Sequence, residues 1–172
     1  MDFIKITEQA SHYDNLESKS ITEILTEINI EDRKIARAVE KTIPAIEKLV
    51  DGIIKRMKRG GRIFYIGAGT SGRLGVLDAA EVPPTFGMPP TYVIALIAGG
   101  DKALRSPVEQ AEDNYEHGWD ELLKHGINNN DTLIGIAASG TTPYVIGALR
   151  NARKKGILTG AISCNPNSPV AN

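Results

Sequence analysis

Beyond the pair Gly60-Gly61, four short apolar runs alternate with segments of helical length, and this alternation constrains the fold more than any other feature of the chain. The runs are 62–66, 92–98, 132–138 and 158–163, each of strand length and rich in Ile, Val or Tyr. Helical candidates near 72–80, 103–124 and 143–155 lie between them. A β-α-β-α-β-α-β order implies right-handed crossovers and therefore one parallel sheet with helices on its faces. The expected class is α/β, a three-layer sandwich of Rossmann-like winding.

The first third of the chain is polar and helical. Ser20-Ile21-Thr22-Glu23 reads as a capping box, and Ile21, Ile24, Leu25 and Ile28 follow the i, i+3, i+4, i+7 rule of one helical face. A second helical stretch is expected from about Glu31 to Lys58, with an apolar stripe from Val39 to Met57 and Pro44 as a kink or restart. Lys55, Arg56, Lys58 and Arg59 fall in its last turn before Gly60, where cations compensate the helix dipole. The expected organisation is a helical segment over 1–58 and an α/β domain over 59–172. At ~150 residues per domain, 172 residues suffice for one. The sequence stops at Asn172, directly after the fourth strand, where a sheet would more often continue. The domain is therefore expected to be truncated at its C-terminus.

Composition narrows the partners. With 20 Lys+Arg against 21 Asp+Glu, the net charge of −1 creates no field that would draw the chain onto nucleic acid or an anionic membrane, so small ligands are the better expectation. Cys164 is the single cysteine, which rules out an intrachain disulfide and a multi-cysteine metal cluster. His12, His117 and His125 show no metal-ligand spacing and read as surface residues, so no metal is expected. No stretch approaches the ~18 apolar residues of a membrane span, and the N-terminus has no signal-peptide core. The expected compartment is the cytoplasm.

In a parallel sheet the ligand crevice opens at the carboxyl ends of the strands. The loop after the first run is Gly67-Ala68-Gly69-Thr70-Ser71-Gly72-Arg73, and that after the third is Ala138-Ser139-Gly140-Thr141-Thr142-Pro143. Each combines glycines, Ser/Thr hydroxyls and the start of a helix, the ingredients of an anion site. Two such loops on one edge suggest a phosphate monoester held around Gly69, Thr70, Ser71, Ser139, Gly140 and Thr142, although Gly, Ser and Thr also populate ordinary turns. Gly67, Gly69 and Gly72 match G-x-G-x-x-G as well, which keeps a dinucleotide reading open; against it, Asp101 falls farther along than a ribose-binding acid should. No Gly-Lys-Ser/Thr follows, so a Walker loop is excluded.

Carboxylates are the acid/base candidates. Glu81 precedes Val82-Pro83-Pro84, which should end the helix there; a carboxylate at the negative pole of a helix, partly buried, would hold its proton and suit a general acid. An ordinary solvated Glu is the alternative. Ser106-Pro107-Val108-Glu109 has the form of a capping box, which makes Glu109 structural, and leaves Glu112 on a helix face with no structural assignment.

Together these motifs resemble one family, the N-acetylmuramic acid 6-phosphate etherases of the sugar-isomerase (SIS) domain class. The resemblance runs from about Ile21 to the end. It is carried by Tyr65-Ile66-Gly67-Ala68-Gly69-Thr70-Ser71-Gly72-Arg73, by Glu81-Val82-Pro83-Pro84-Thr85-Phe86-Gly87, by Val108-Glu109-Gln110-Ala111-Glu112-Asp113 and by Gly135-Ile136-Ala137-Ala138-Ser139-Gly140. It implies a lyase that cleaves the D-lactyl ether of N-acetylmuramic acid 6-phosphate to N-acetylglucosamine 6-phosphate and D-lactate in cell-wall amino sugar recycling. It further implies no cofactor, a homodimer with sites shared across the interface, Glu112 as base at C2 and Glu81 as acid to the departing lactate.

Several positions depart from the family pattern. Thr141 stands in place of the usual Arg, Gln110 and Asn167 in place of glycines, Pro107 enters the segment before Glu112, and 9–16 is unlike the usual N-terminal stretch. The competing class is a non-catalytic SIS module that senses sugar phosphates, which would need the phosphate loops but neither glutamate; a dinucleotide-binding domain is the third reading.

Overall fold

The computed structural model describes residues 3–172. All four apolar runs form strands: β1 (Ile63–Gly67), β2 (Val93–Ile97), β3 (Thr132–Ile136) and β4 (Leu158–Ile162). The helices are α1 (Ile21–Glu40), α2 (Ile43–Met57), α3 (Gly69–Phe86), α4 (Lys102–Arg105), α5 (His117–Lys124) and α6 (Pro143–Lys154). The sheet is parallel with strand order β2-β1-β3-β4. Crossovers therefore leave β1 and β3 in opposite directions, and the switch point between these two strands is where such a sheet opens a crevice. The chain divides into two compact units, one of residues 3–7 with Gly52–Asn172, the other Glu8–Asp51.

In the larger unit the strands are apolar throughout because helices cover both faces. Phe64, Ile66 and Leu133 are fully buried and belong to one core with Trp119 and Leu122 of α5 and Tyr144, Val145 and Leu149 of α6. On the opposite face Tyr65 and Ile136 lie against α3. At the far end of the sheet from the β1 and β3 loops, the buried carboxylate of Asp131 accepts from Arg62 N–H (2.8 Å), Arg62 Nη2 (2.8 Å) and Asn128 N–H (2.9 Å). The rest of the Arg62 guanidinium caps the carbonyls of His125 and Gly126. This cluster ties β1, the end of α5 and the entry to β3 together.

In the smaller unit, Ser20 and Glu23 form the expected capping box in full. Tyr13 donates to Glu31 at 2.7 Å and Lys19 pairs with Glu27 at 2.6 Å, which fixes the approach to α1. The Glu31 hydrogen bond pushes the Tyr13 phenol up to about 12. None of the residues of α1 is buried, and Leu25, Ile28, Ile35 and Val39 are exposed.

Three expectations about helices are corrected. The first two helices divide differently, since α1 runs unbroken to Glu40 and Pro44 belongs to the first turn of α2, where a missing N–H costs nothing. The helix after β1 does not stop before the prolines: α3 contains Pro83 and Pro84 and ends at Gly87, whose left-handed φ of 66° and N–H to the Pro83 carbonyl close it. The two prolines leave the carbonyls of Ala79 and Ala80 without their helical donors, and the helix continues for only the rest of that turn. The segment 103–124, expected as one helix, is two short helices separated by irregular chain over 106–116. Ser106, held extended before Pro107 (φ −137°, ψ 143°), is the cause, and the Ser106/Glu109 capping box does not form. Gln110 adds a left-handed residue at φ 61°, and Asn167 another at 57°. The two non-glycine departures from the family pattern thus occupy the conformation that glycine serves best.

Candidate functional site

β1 and β3 are parallel neighbours with Gly67 opposite Ile136, so the loops after them leave the same edge of the sheet. The first passes straight into α3, whose flanking Ala68 is extended and makes no side-chain cap. The first helical bond runs from Gly72 N–H to the Ala68 carbonyl at 3.1 Å. Among the described residues the N–H groups of Gly69, Thr70 and Ser71 have no acceptor, and they stand at the positive end of an 18-residue helix. The motif glycines on either side serve packing: a Cβ on Gly67 would come within 2.7 Å of the Gly72 nitrogen, and one on Gly72 within 2.6 Å of Ile97. Only with both as glycine does α3 start this close to β1.

The second loop contributes hydroxyls instead of backbone donors. Ser139 Oγ accepts from the Thr141 N–H (3.2 Å) and the Thr141 hydroxyl (3.0 Å), which leaves its own hydrogen for an outside acceptor. Thr142 precedes α6 and makes no side-chain cap bond. The first N–H groups of α6 are already used: Pro143 has none, Tyr144 donates to the Glu112 carbonyl at 3.0 Å, and Val145 and Ile146 return to Thr142. Gly140 has φ 72°, and a Cβ there would meet Ser168 Oγ at 2.1 Å.

That crowding reveals a support with no local signature in the sequence. Asn165, 2% exposed, donates from Nδ2 to the Ser139 carbonyl and to Thr7 Oγ1, both at 2.9 Å. Its Oδ1 accepts from the Thr7 N–H at 3.1 Å. The Asn165 N–H donates to Ser163 Oγ at 3.1 Å, and the Ser163 hydroxyl lies 3.1 Å from that of the fully buried Ser168. The run from Asn165 to Pro169 reads locally as a turn; only its place after β4, at the same sheet edge, points to this role.

The two glutamates stand differently toward the loops. Glu112 lies in the irregular segment 106–116, and its carbonyl is bonded to the first turn of α6, directly beside Thr142. Gly147 brings this segment still closer, since a Cβ there would fall 1.6 Å from the Tyr115 carbonyl oxygen. Glu81 is exposed and lies within α3 rather than at its end, which corrects the placement expected from the sequence. At about 1.5 Å per residue it sits about 16 Å along α3 from Thr70, while the free N–H groups point the other way, out of the helix start. The structure thus brings Thr70, Ser71, Ser139, Thr142 and the backbone of Glu112 to one edge, and does not bring Glu81 of the same chain to it.

Two tyrosines near the core are poor proton donors. Burial, with the Asp78 carboxylate beside it, pushes Tyr65 up to about 12. Burial and the hydrogen bond to Glu121 push Tyr144 well above the ordinary phenol value. His117 is not simply a surface residue: its ring packs edge-on to Tyr144, and its Nε2 lies 3.5 Å from Glu121. Asp101, the acid of the dinucleotide reading, lines a groove of about 280 Å³ along the outer edge of β2, with Val76, Leu104 and Lys124.

The fold is a parallel α/β domain of the sugar-isomerase (SIS) kind. A family model described as the glucokinase regulatory protein N-terminal SIS domain matches residues 45–153, and the chain belongs to that family. Among curated relatives, an N-acetylmuramic acid 6-phosphate etherase of Bacteroides thetaiotaomicron is 72% identical over 171 residues, covering 99% of this chain and 62% of the relative. One of Porphyromonas gingivalis is 72% identical over 169 residues, covering 98% and 62%. The chain therefore spans about three fifths of the length of these relatives. Among solved structures, a phosphoheptose isomerase from Francisella tularensis superposes with a TM-score of 0.62 at 17% identity, over 84% of this chain and 74% of that one. The corresponding enzyme from Neisseria gonorrhoeae gives 0.62 at 20% identity, over 84% and 75%. At such identities these structures speak for the fold.

Proposed function

We propose that the chain is a carbon–oxygen lyase that cleaves the D-lactyl ether of N-acetylmuramic acid 6-phosphate, working as a homodimer in the cytoplasm. The phosphate sits on the free N–H groups of Gly69, Thr70 and Ser71 and takes hydroxyl donors from Ser71, Ser139 and Thr142, with Gly140 keeping the second loop close. The observation that carries the reading is the bond from Tyr144 N–H to the Glu112 carbonyl, which puts a glutamate segment against the loop that would hold the phosphate. The names of the relatives, at 72% identity over nearly the whole chain, support the same activity.

The chemistry requires two proton-transfer groups. In the open-chain aldehyde the carbonyl acidifies the C2 proton, and Glu112 removes it. The C3–O bond then breaks as a second carboxylic acid, Glu81, delivers a proton to the lactyl oxygen, releasing D-lactate and an α,β-unsaturated aldehyde. Water adds at C3 and a proton returns to C2, giving N-acetylglucosamine 6-phosphate. Each such group contributes about 10²–10⁴-fold.

The position of Glu81 bears on assembly. A hexose 6-phosphate anchored at the start of α3 does not reach a residue about 16 Å along the same helix, so the acid comes from a second copy. Glu81 shares its exposed helix face with Leu74 and Leu77, both more than half exposed, and α1 leaves a further apolar stripe uncovered. These are surfaces suited to self-association. The same geometry favours one alternative, a module that binds sugar phosphate without turnover, because a lone copy holds the loops and Glu112 but lacks the acid.

Incubation with N-acetylmuramic acid 6-phosphate and enzymatic assay of D-lactate decides between them. Stoichiometric release of lactate is expected. Binding of the sugar phosphate with no lactate formed would move the chain to the sensing class.

A further inference from the structure

We propose that Arg73 is a positioning residue that sets where Glu112 stands relative to the phosphate donors of α3; the proposal rests on the reading of Glu112 as the base. Arg73 follows Gly72 on α3 and is half-buried. Its guanidinium donates from Nε to the Leu104 carbonyl at 3.2 Å and from Nη2 to the Ala103 carbonyl at 2.7 Å. Both carbonyls belong to α4, a single turn whose carbonyls have no following helix to receive them. A planar fork suits two adjacent carbonyls where a lysine ammonium does not. No carboxylate among the described residues forms an ion pair with Arg73, so its bonding is directed at α4.

What α4 leads into makes this matter. From Ser106 to Asp113 the chain is irregular, and its described hydrogen bonds are few: Ser106 N–H to Lys102, Asp113 N–H to Gln110, and Tyr144 N–H to the Glu112 carbonyl. Val108 packs on Gly99, and Ala111 on the main core. The downstream end of the segment is thus pinned to α6 by Tyr144, and its upstream end to α3 by Arg73. Because α3 also opens with Gly69, Thr70 and Ser71, one helix carries both the phosphate donors and the anchor of the glutamate segment. The place of the base relative to the substrate phosphate then depends on the Arg73 hydrogen bonds at one end of the segment and on the Tyr144 bond at the other.

The test uses Arg73→Met and Arg73→Lys in the full chain, with three readouts: amide hydrogen exchange, inorganic phosphate binding and lactate-release kinetics. Both variants should exchange faster at the hydrogen-bonded amides of the anchored stretch, Leu104, Ser106, Asp113 and Tyr144, while amides of β1 and β3 stay protected, and both should bind phosphate like the parent. A displacement of the base costs about 10²-fold in kcat, with KM held within about threefold because ground-state binding is untouched. Recovery of the parental kcat by Arg73→Lys would assign the effect to charge and overturn the proposal. A raised KM at unchanged kcat would make Arg73 a phosphate ligand instead. Unchanged exchange at Leu104, Ser106, Asp113 and Tyr144, or a rise spread equally over the sheet in both variants, would also contradict it. If the parent releases no lactate the etherase reading fails, and exchange with phosphate binding still decides the role of Arg73.

Discussion

Glu112→Gln is expected to abolish exchange of the substrate C2 proton with solvent deuterium and to lower lactate release by about 10²–10⁴-fold. The amide keeps the shape of the side chain and the carbonyl bond to Tyr144 but cannot take a proton. Glu81→Gln should behave differently. With the base in place, C2 abstraction remains reversible, so deuterium should enter recovered substrate while the unprotonated lactyl oxygen stays attached. The order of steps makes the two variants distinguishable, because loss of a group acting late leaves the earlier equilibrium intact. Normal exchange and turnover in Glu112→Gln would return Glu112 to an ordinary solvated residue. Equal loss of exchange in both variants would contradict the division of roles.

The largest effect on stability is expected at Asp131, far from this chemistry. Its carboxylate is 1% exposed and the side chain of its partner Arg62 25%. Asp131→Ala leaves Arg62 and the part-buried N–H groups of Arg62 and Asn128 without their acceptor, and removing one partner of a buried pair costs about 3–5 kcal/mol. The partial exposure of Arg62 places the expectation near the lower figure. Trp119, the single tryptophan, lies in the core of the same unit and reports its unfolding by fluorescence. The urea midpoint should fall with little change in slope. A loss below about 1 kcal/mol would mean that water replaces the carboxylate without penalty.

The sheet is legible in the sequence because covering both faces of a strand demands unbroken apolar runs, and a run such as 132–138 is too short for a core helix and too apolar for a loop. The start of α1 is legible for a local reason, since Ser20 and Glu23 satisfy each other whatever lies around them. The segment carrying Glu112 misleads because Ser106 and Glu109 have capping-box spacing, while the restriction that Pro107 places on Ser106 and the left-handed Gln110 override it. α3 outruns its expected end because a Pro-Pro pair normally stops a helix at the preceding residue, whereas here the pair lies within the last turn and Gly87 closes it. At the candidate site, glycines and hydroxyls mark both loops, but not the division of labour by which α3 supplies N–H groups and the β3 loop supplies hydroxyls. That depends on the bond from Tyr144 to Glu112, a long-range contact with no local signature. The Asn165 support is hidden likewise, because its partners Thr7 and Ser139 are distant in sequence.

The central claim is that a site is built from the phosphate loops and Glu112 of one copy with Glu81 of another. Mixing Glu81→Gln and Glu112→Gln subunits tests it most directly. Each variant alone carries a defect in every site, whereas a mixed dimer has one site with both glutamates intact and one with neither. Random re-association of equal amounts should restore lactate release to about a quarter of the parental rate. Activity of the mixture no greater than the sum of the separate variants would show that both glutamates serve the same chain's site, and would contradict the account.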